Sequence, residues 1–317
     1  MIDGKKVYQS LGLCLLFTTF IFSSDQTDTP LCRSIPVNMS NDPKIEVSIE
    51  GHTYSLYIDT GASITLILQD YLLKNIKNKE ITEGVTYFND FRGQTYTSDC
   101  SFLIPQLKIG SFSFENITSK VENKDFLINC EIISPEFKNE NPASSLDGRI
   151  GLNFFRPYCC LFKFSDSVIY LANDISGLKH RMNMKDYVEI PMETDSSGLI
   201  VLKVELDMGV KTFILDTGSS GAVFRESLID DKEALLKKNL TKKAWPGMWL
   251  FRSKKLKIGD VDFGNQNFWL IELGKCWEDG FLGVDFFKKH GICLDFPNKK
   301  VYIEKPKRTF WQKIFSK

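Results

Sequence analysis

Two short segments of this chain carry the same residues at the same spacing, and those residues could do acid–base chemistry. Residues 59–63 read Asp-Thr-Gly-Ala-Ser and residues 216–220 read Asp-Thr-Gly-Ser-Ser, each directly after a short apolar run. A single Asp-Thr-Gly is typical of a strand that ends in a turn. Two copies instead predict a pair of facing carboxyl groups, Asp59 and Asp216, which can share one proton and act together on a water molecule.

The stretches before the two aspartates predict the same local structure. Over residues 44–58, apolar and polar residues alternate in two runs separated by a turn, and the second run leads into Asp59. Residues 202–215 show the same runs and turn before Asp216. Alternation with a period of two is typical of half-buried strands. A hairpin is therefore predicted to carry each aspartate at the end of its second strand.

The repetition continues downstream of each aspartate. Leu-Lys-Ile-Gly occurs at residues 107–110 and again at residues 256–259, and residues 147–155 align without a gap with residues 279–287. Repetition on this scale indicates two copies of one structural unit rather than a solenoid, whose repeats are far shorter.

With these motifs the chain resembles the aspartic proteases of the pepsin and retropepsin group, over roughly residues 40 to 305. The resemblance rests on the two Asp-Thr-Gly-x-Ser segments and on two x-hydrophobic-Gly segments, at residues 149–151 and 281–283. It implies an all-β fold with short helices, in which two pseudo-twofold-related β lobes face each other across a cleft. In that family the hydrophobic-Gly strand crosses behind the Asp-Thr-Gly loop. Arg149 departs from the apolar residue that is commoner at its position.

The resemblance implies a pepsin-like or retropepsin-like aspartic endopeptidase, a hydrolase that acts on a polypeptide in extended conformation. A water held between Asp59 and Asp216 would lose a proton to one carboxylate, while the other carboxyl donates to the scissile carbonyl oxygen. Two carboxyls so close cannot both ionise, an effect for which this protease family is the usual example. Because the shared proton belongs to the coupled pair, the residues alone leave open which aspartate is the base.

Other residues of the two segments are expected to support the pair. The glycines let the backbone approach the carboxylates, which a Cβ would obstruct. By the resemblance, the threonines interlock across the pair through hydroxyl and backbone hydrogen bonds. The final serines are placed to donate to the outer carboxylate oxygens, although they also fit an ordinary turn. These supporting residues are Thr60, Gly61, Ser63, Thr217, Gly218 and Ser220.

A substrate flap is predicted in the first half of the chain. Residues 85–102 fit a hairpin with its tip near Gly93, and its aromatic side chains could pack over a bound peptide. The alternative is a plain surface hairpin whose aromatic side chains turn toward the core. The second half offers a shorter candidate around residues 245–247. An aromatic flap predicts cleavage between bulky apolar residues. The candidate flap residues are Tyr87, Phe91, Gly93 and Tyr96.

The two motif copies differ at one position, where Ala62 corresponds to Ser219. The first carboxylate therefore has one fewer hydroxyl nearby to favour its ionised form. This difference predicts an acidic pH optimum that is displaced toward mild acidity.

Composition fits an ordinary globular enzyme. The 317 residues include 43% hydrophobic residues, enough to bury a core in two lobes. Basic and acidic residues balance at 40 each, which gives no indication of a nucleic-acid partner. The three histidines are scattered, so neither a zinc site nor a His-dependent triad has its residues. We predict no cofactor, no metal, and a monomer because both aspartates lie in one chain.

The N-terminus predicts export. Residues 1–24 contain two lysines, then an apolar stretch at residues 11–22 and two serines, a pattern typical of a signal peptide. The stretch is short for a membrane span, but no Ala-x-Ala cleavage site follows, so an uncleaved membrane anchor is the alternative. The protein is expected to be secreted, periplasmic or associated with the cell envelope.

The remaining boundaries follow from composition and from the repeat. The basic aromatic tail either lies on an anionic membrane surface or docks on the body of the protein. Residues 64–77 are predicted to be helix-like. The predicted segments are an N-terminal extension (25–43), an N-terminal protease lobe (44–171), a linker (172–187), a C-terminal protease lobe (188–304) and the tail (305–317).

The chain has eight cysteines, of which Cys14 lies inside the apolar N-terminal stretch. Export makes disulfides plausible, but the odd number that remains leaves at least one thiol unpaired in a monomer. The sequence does not give the pairing. Cys159 and Cys160 are adjacent, and we expect them to face opposite sides of one strand.

Two alternatives to a protease remain open. One is a catalytically silent binding protein of the cell envelope on the same fold. An altered Asp, Thr or Gly in either motif would favour it, and none is altered. The other is a receptor-like envelope protein held by residues 11–22, with proteolysis incidental.

Overall fold

The structure is a computed structural model that describes residues 32–40, 42–122, 147–231, 235, 241–245 and 248–307. The predicted signal peptide, most of the basic tail and residues 123–146 lie outside the described residues. Among the residues that are described, no helix is both long and apolar enough to cross a membrane.

The described part of the chain is mostly β. The α-helices are α1 (Leu152–Phe155) and α2 (Val284–Lys289), and 3-10 helices lie at Asp70–Asn75, Phe164–Asp166, Ile175–Leu178, Met184–Asp186 and Glu226–Leu228. The strands are β1 (Arg33–Pro36), β2 (Lys44–Ile49), β3 (His52–Asp59), β4 (Leu66–Gln69), β5 (Glu80–Asn89), β6 (Thr95–Ile109), β7 (Phe112–Glu122), β8 (Gly148–Gly151), β9 (Cys159–Lys163), β10 (Val168–Ala172), β11 (Tyr187–Pro191), β12 (Glu193–Thr194), β13 (Ile200–Leu206), β14 (Gly209–Leu215), β15 (Val223–Arg225), β16 (Thr241–Trp245), β17 (Met248–Ser253), β18 (Leu256–Ile258), β19 (Val261–Asp262), β20 (Gln266–Ile271), β21 (Gly280–Leu282), β22 (Ile292–Asp295) and β23 (Lys300–Glu304).

The first lobe is a sheet in the order β2-β3-β8-β4-β7-β6-β5. β2 also pairs with β6, through Ser48 and Lys108, which curls the sheet on itself. β8 lies between β3 and β4, parallel to β3 and antiparallel to β4. The hydrophobic-Gly strand therefore supports the strand that ends in Asp59.

The second lobe repeats this arrangement in the order β16-β17-β20-β15-β21-β14-β13-β18-β19, with β12 added on β13. β21 lies between β14 and β15, parallel to β14 and antiparallel to β15, as β8 lies between β3 and β4. The prediction of a mostly β chain with two related lobes is confirmed.

The alternating sequence explains the hairpin before each aspartate. Ile45, Val47 and Ile49 are buried, whereas the residues between them are more exposed. Burying such a side chain contributes about 1.5 to 3 kcal/mol relative to leaving it in water. The turns use Gly51 and Gly209 at φ of 83° and 92°, a conformation that glycine adopts without the steric cost of a Cβ.

A third sheet joins the lobes, in the order β1-β10-β9-β22-β23-β11. Its central pair, β9 and β22, brings together equivalent strands from the two halves of the repeat. β1 comes from the predicted N-terminal extension and pairs with β10. This sheet fixes the two lobes, and hence the two aspartates, relative to each other.

The helix-like prediction for residues 64–77 is wrong in part. Leu66–Gln69 is strand β4, and Asp70–Asn75 is a 3-10 helix. All of β4 is buried, and it is an inner strand of the sheet, between β7 and β8. A strand buried on both faces gives a continuous apolar run, which periodicity alone does not distinguish from a helix.

The main hydrophobic core extends through both lobes. Phe162 packs edge-to-face with Phe155 and with Phe287, at centroid distances of 5.2 and 5.9 Å, a geometry that aromatic rings favour. Cys160 belongs to this core, whereas Cys159 belongs to a second cluster on the other face of β9. The adjacent thiols therefore face opposite sides of the strand, as expected.

Candidate active site

The two Asp-Thr-Gly loops meet between the lobes, where their threonines exchange hydrogen bonds. Thr60 Oγ1 accepts from the Thr217 N–H and donates to the Leu215 carbonyl, both at 2.9 Å. Thr217 Oγ1 accepts from the Thr60 N–H at 3.0 Å and donates to the Ile58 carbonyl at 2.7 Å. Both threonines are fully buried, so losing a partner would leave a buried polar group unsatisfied. These bonds lock the loops together.

The loop glycines hold the two carboxyl groups at short range. The Gly61 N–H donates to Asp59 Oδ1 at 3.1 Å, and the Gly218 N–H donates to Asp216 Oδ1 at 2.7 Å. A Cβ on Gly218 would lie 2.5 Å from Asp59 Oδ1 and 2.8 Å from Asp216 Oδ1, and one on Gly61 would overlap the Asp216 carboxyl. Both carboxyls therefore face one common position, and only glycine leaves room for it.

The pair is set up to hold one proton. Asp59 is 5% exposed and Asp216 is half-buried. Burial, and next the negative charge of Asp59, raise the pKa of Asp216 to about 7, although the Gly218 N–H, Arg149 and the Gly61 N–H oppose the rise. Activation of a water requires a proton acceptor and a proton donor side by side, which two adjacent carboxyls with one proton can supply.

Arg149 enters the site from β8. Its Nη1 donates to Asp59 Oδ2 at 2.9 Å, and the two side chains are 17% and 7% exposed. β3 and β8 are parallel, and Arg149 lies beside Tyr57, on the same face of the sheet as Asp59. The sequence marked Arg149 only as a departure from the family pattern. The pairing register of β8 on β3 is the signal that would have placed it at the carboxylate.

Tyr57 and Asp42 are two further residues that the sequence did not single out. The Tyr57 hydroxyl donates to the Thr217 carbonyl at 2.8 Å. Burial, and then the charges of Asp42, Asp59 and Asp216, raise the pKa of Tyr57 well above its usual value. The phenol is therefore neutral at any physiological pH and remains a hydrogen-bond donor to the second loop.

In this structure the two serines make contacts other than the predicted ones. Ser220 Oγ donates to Asp42 Oδ1 at 3.1 Å, and Ser63 contributes its backbone carbonyl, which accepts from Asn153 Nδ2 at 2.8 Å. Neither hydroxyl is bonded to an aspartate of the pair within the described contacts. The outer oxygen of the first aspartate is occupied by Arg149 instead.

The expected difference between Ala62 and Ser219 has no direct effect on the carboxylates. Ser219 Oγ donates to the Gly221 carbonyl at 2.7 Å rather than to Asp216. A guanidinium, that of Arg149, lies beside Asp59 instead.

The predicted flap corresponds to the hairpin of β5 and β6, with its tip at residues 90–94. Asp90 Oδ1 accepts from the Arg92 N–H at 2.9 Å and from the Gln94 N–H at 2.8 Å. Gly93 adopts a φ of 79°, which favours glycine. The tip is therefore a well-defined turn built around a buried aspartate.

The flap tip touches the second lobe. The Gly274 N–H donates to the Phe91 carbonyl at 2.9 Å, and Trp277 Nε1 donates to the Asp90 carbonyl at 2.7 Å. A Cβ on Gly274 would lie 2.5 Å from Gly93 Cα, so the two backbones are in contact. In this structure the flap bridges the two lobes.

Arg225 braces the loop that receives the flap tip. Its guanidinium donates to backbone carbonyls along residues 273–278. A cavity of about 410 Å³ lies between this loop and the flap tip, away from the aspartates. Its lining residues are Phe91, Arg92, Ile271, Glu272, Leu273 and Gly274.

Some aromatic flap residues are exposed, as expected for packing over a peptide, and others turn toward the core. Phe91 is half-buried and packs on the core, whereas Tyr87 is 69% exposed and Tyr96 is half-buried. In the second lobe, β16 ends at Trp245, and residues 246–247 of the shorter candidate flap lie outside the described residues.

No metal-binding cluster of three or more His, Cys, Asp or Glu side chains occurs in the described ranges. The groups that could act on a substrate are the two carboxyls, the guanidinium beside them and the backbone of the flap.

No protein-family model and no curated protein sequence match the chain. Solved structures do match it, among them the two that follow. The aspartic proteinase from Irpex lacteus has a TM-score of 0.55 at 15% identity, over 89% of this chain and 99% of that one. Basic 7S globulin from soybean has a TM-score of 0.57 at 10% identity, over 87% and 95%.

At such low identity the likeness shows the fold alone, which is the bilobal fold of aspartic proteinases. Because one of these proteins is a proteinase and the other a globulin, activity must be argued from the site rather than from the fold.

Proposed function

We propose that the protein is an aspartic endopeptidase that hydrolyses peptide bonds with Asp59 and Asp216 as its catalytic pair. The observation that carries this proposal is that both carboxyls face one position, held there by glycine N–H groups and the threonine exchange. Turns with only a structural role would not need the two carboxyls to converge. Bringing two carboxyls together out of water costs free energy, so the arrangement indicates a function.

In the proposed reaction, a water occupies the position that both carboxyls face. The ionised carboxylate takes a proton from the water as its oxygen attacks the peptide carbonyl carbon, while the neutral carboxyl donates its proton to the carbonyl oxygen. The tetrahedral diol collapses when the carboxyl that took the water proton gives it to the amide nitrogen and the C–N bond breaks, while a diol hydroxyl returns a proton to the other carboxylate. One proton is left on the pair, as at the start.

The substrate is proposed to be an extended polypeptide that lies between the flap and the pair. Such a chain can pair its backbone with the flap as an added strand. Two hydrogen bonds, from Gly274 and Trp277, hold the flap tip to the second lobe. Each contributes about 0.5 to 1.5 kcal/mol net, so they can break and re-form as a peptide enters. The exposed Tyr87 supports a preference for bulky apolar residues.

A monomeric, exported enzyme is also part of this proposal. The interlobe sheet and the threonine exchange join both halves of the site within one chain, so a second copy is not needed to complete it. The signal-peptide pattern at residues 1–24 supports export.

The second candidate function is a catalytically silent binding protein on the same fold. Arg149 is the observation that favours it, because its ion pair occupies one oxygen of a carboxylate that a protease needs for proton transfer. The silent candidate does not account for the intact motifs and the convergent carboxyls, which binding alone does not need.

The test is a digestion experiment. Purified protein is incubated with a mixture of denatured proteins from about pH 3 to 8, with and without a pepstatin-type inhibitor, beside the Asp216→Asn variant. We expect fragments that the inhibitor suppresses and that the variant does not produce. Cleavage that persists in the variant would contradict the assigned pair. No cleavage by folded wild-type protein would favour the silent binding protein.

A further inference from the structure

The two aspartates have unlike neighbours at equivalent positions of the repeat. Arg149 on β8 corresponds to Phe281 on β21, and Tyr57 on β3 corresponds to Ile214 on β14. The Phe281 side chain is buried and packs edge-to-face on Trp277, at a centroid distance of 5.5 Å. The first aspartate therefore has a cation beside it, where the second has apolar side chains.

The sheet holds the guanidinium in place. β8 is inserted so closely between β3 and β4 that a Cβ on Gly148 would overlap the Ile67 carbonyl and one on Gly151 would overlap the Ile64 carbonyl. Arg149 lies between these glycines, and a shift of register would break the pairing on both sides. Because the ion pair with Asp59 is mostly buried, salt screens it only weakly.

We propose that Arg149 is a positioning residue that keeps Asp59 in its carboxylate form and so places the shared proton on Asp216. This inference rests on the proposed function, since it assigns the roles of base and acid to the two aspartates of the pair. Asp59 Oδ1, which faces the common position, takes the proton of the water. The Asp216 carboxyl donates its own proton to the peptide carbonyl oxygen, and both protons are returned as described above.

The charged and titratable groups around the pair agree with this division. Tyr57 faces the pair from β3 as a neutral phenol. Asp42, from the segment before β2, accepts from Ser220 of the loop that carries Asp216, and its negative charge also acts on Tyr57. Arg149 from β8 contacts the other carboxylate. Of these three groups, Arg149 is the one bonded to a carboxyl of the pair.

A cation beside the pair favours ionised carboxyls and therefore moves both limbs of the pH–rate profile to lower pH. Removing it should raise the acid limb, because a neighbouring cation favours the charged form of a carboxyl. The alkaline limb should also rise, because Arg149 opposes the upward shift of the pKa of Asp216.

The experiment compares Arg149→Gln, which keeps a hydrogen-bond donor but loses the charge, with Arg149→Lys, which keeps the charge. The pH profile of kcat/KM should move upward in Arg149→Gln and stay near its wild-type position in Arg149→Lys. A purely structural role would lower kcat in both without moving the profile. An unmoved profile in active Arg149→Gln would overturn the proposal.

A second measurement does not depend on activity. The carboxyl carbons of ¹³C-labelled aspartates are titrated by NMR in wild type, Arg149→Gln and Asp216→Asn. A resonance that titrates near pH 7 should be lost in Asp216→Asn and move to higher pH in Arg149→Gln. If that resonance instead persists in Asp216→Asn, the proton lies elsewhere and the inference is wrong. If the titrations behave as expected but the wild type cleaves nothing, the proposed function fails and the role of Arg149 stands.

Discussion

The two lobes have the same backbone around their aspartates but different side chains beside them. The threonine hydrogen bonds are reciprocal, with all four distances between 2.7 and 3.0 Å. The neighbouring strand, by contrast, carries Arg149 in the first lobe and Phe281 in the second.

This difference shows how a duplicated unit can be divided between two tasks. The backbone geometry that the two lobes share makes the carboxyls converge. This geometry alone would leave the proton shared evenly between them. The cation on one side and the apolar side chains on the other break that equality. Substitutions on either side of the pair test how far the symmetry extends and where it ends.

The largest effect is expected from removing either carboxyl. Asp59→Asn and Asp216→Asn should each lower kcat/KM by about 10²- to 10⁴-fold, the usual contribution of a general acid or base. Activity within tenfold of wild type in either variant would contradict the pair.

The same two variants should differ in stability. Asp59→Asn leaves the guanidinium of Arg149 without its carboxylate, which should lower the free energy of unfolding by about 1 to 3 kcal/mol. Asp216→Asn has no such cost. Urea unfolding at neutral pH measures both, and equal stabilities would contradict the asymmetry.

The threonine exchange should be symmetric. Thr60→Val and Thr217→Val each remove one hydroxyl that both donates and accepts, so a buried N–H and a buried carbonyl lose their partner. Each substitution should lower the free energy of unfolding by about 2 to 4 kcal/mol, and by similar amounts. Urea unfolding tests this, with Thr212→Val, on a more exposed part of β14, as a control of little effect. A large cost for one threonine alone would show that the exchange is not shared.

Stability should depend on pH through Asp216. Its pKa is raised from the ordinary value of 3.8 to about 7, so between these values the folded protein binds more protons than the unfolded chain. Stability from this group is therefore present at low pH and lost as pH rises toward 7. On going from pH 4 to pH 8, Asp216→Asn should lose less stability than wild type, by up to about 4 kcal/mol.

Urea unfolding at the two pH values measures this difference. Asp285, whose pKa burial also raises, contributes equally to both proteins and cancels. Identical pH dependence in variant and wild type would show that Asp216 is not the group that holds the proton.

The smallest effect is expected at the flap tip. Trp277→Phe removes the indole bond to the Asp90 carbonyl while keeping a ring against Phe281. Loss of about 0.5 to 1.5 kcal/mol should speed amide hydrogen exchange at residues 90–94 by roughly two- to tenfold. Exchange in the hairpin of β13 and β14, in the other lobe, serves as the internal control. An unchanged rate at the tip would mean that the indole bond does not hold the flap.

The sequence predicted the features that rest on local pattern. Alternation fixed the hairpins before Asp59 and Asp216, because a strand with one buried face must alternate. The internal repeat predicted two lobes and the pairing of the two motifs. Prediction from alternation failed at β4, because burial on both faces removes the alternating pattern.

What the sequence could not give depends on contacts between distant segments. Arg149 reaches Asp59 because β8 pairs with β3 in one register, and Ser220 turns to Asp42 because the N-terminal segment lies beside the second loop. The flap tip contacts Trp277 across the lobes. Each of these requires the assembled sheets, which no local pattern encodes.

The measurement that tests the central claim most directly is the pH dependence of kcat/KM for one peptide with bulky apolar residues at the cleaved bond. We expect cleavage that declines above about pH 7, as Asp216 loses its proton, and no such cleavage by Asp216→Asn. A rate that still rises at pH 8, or no cleavage by folded wild-type protein at any pH, would contradict it.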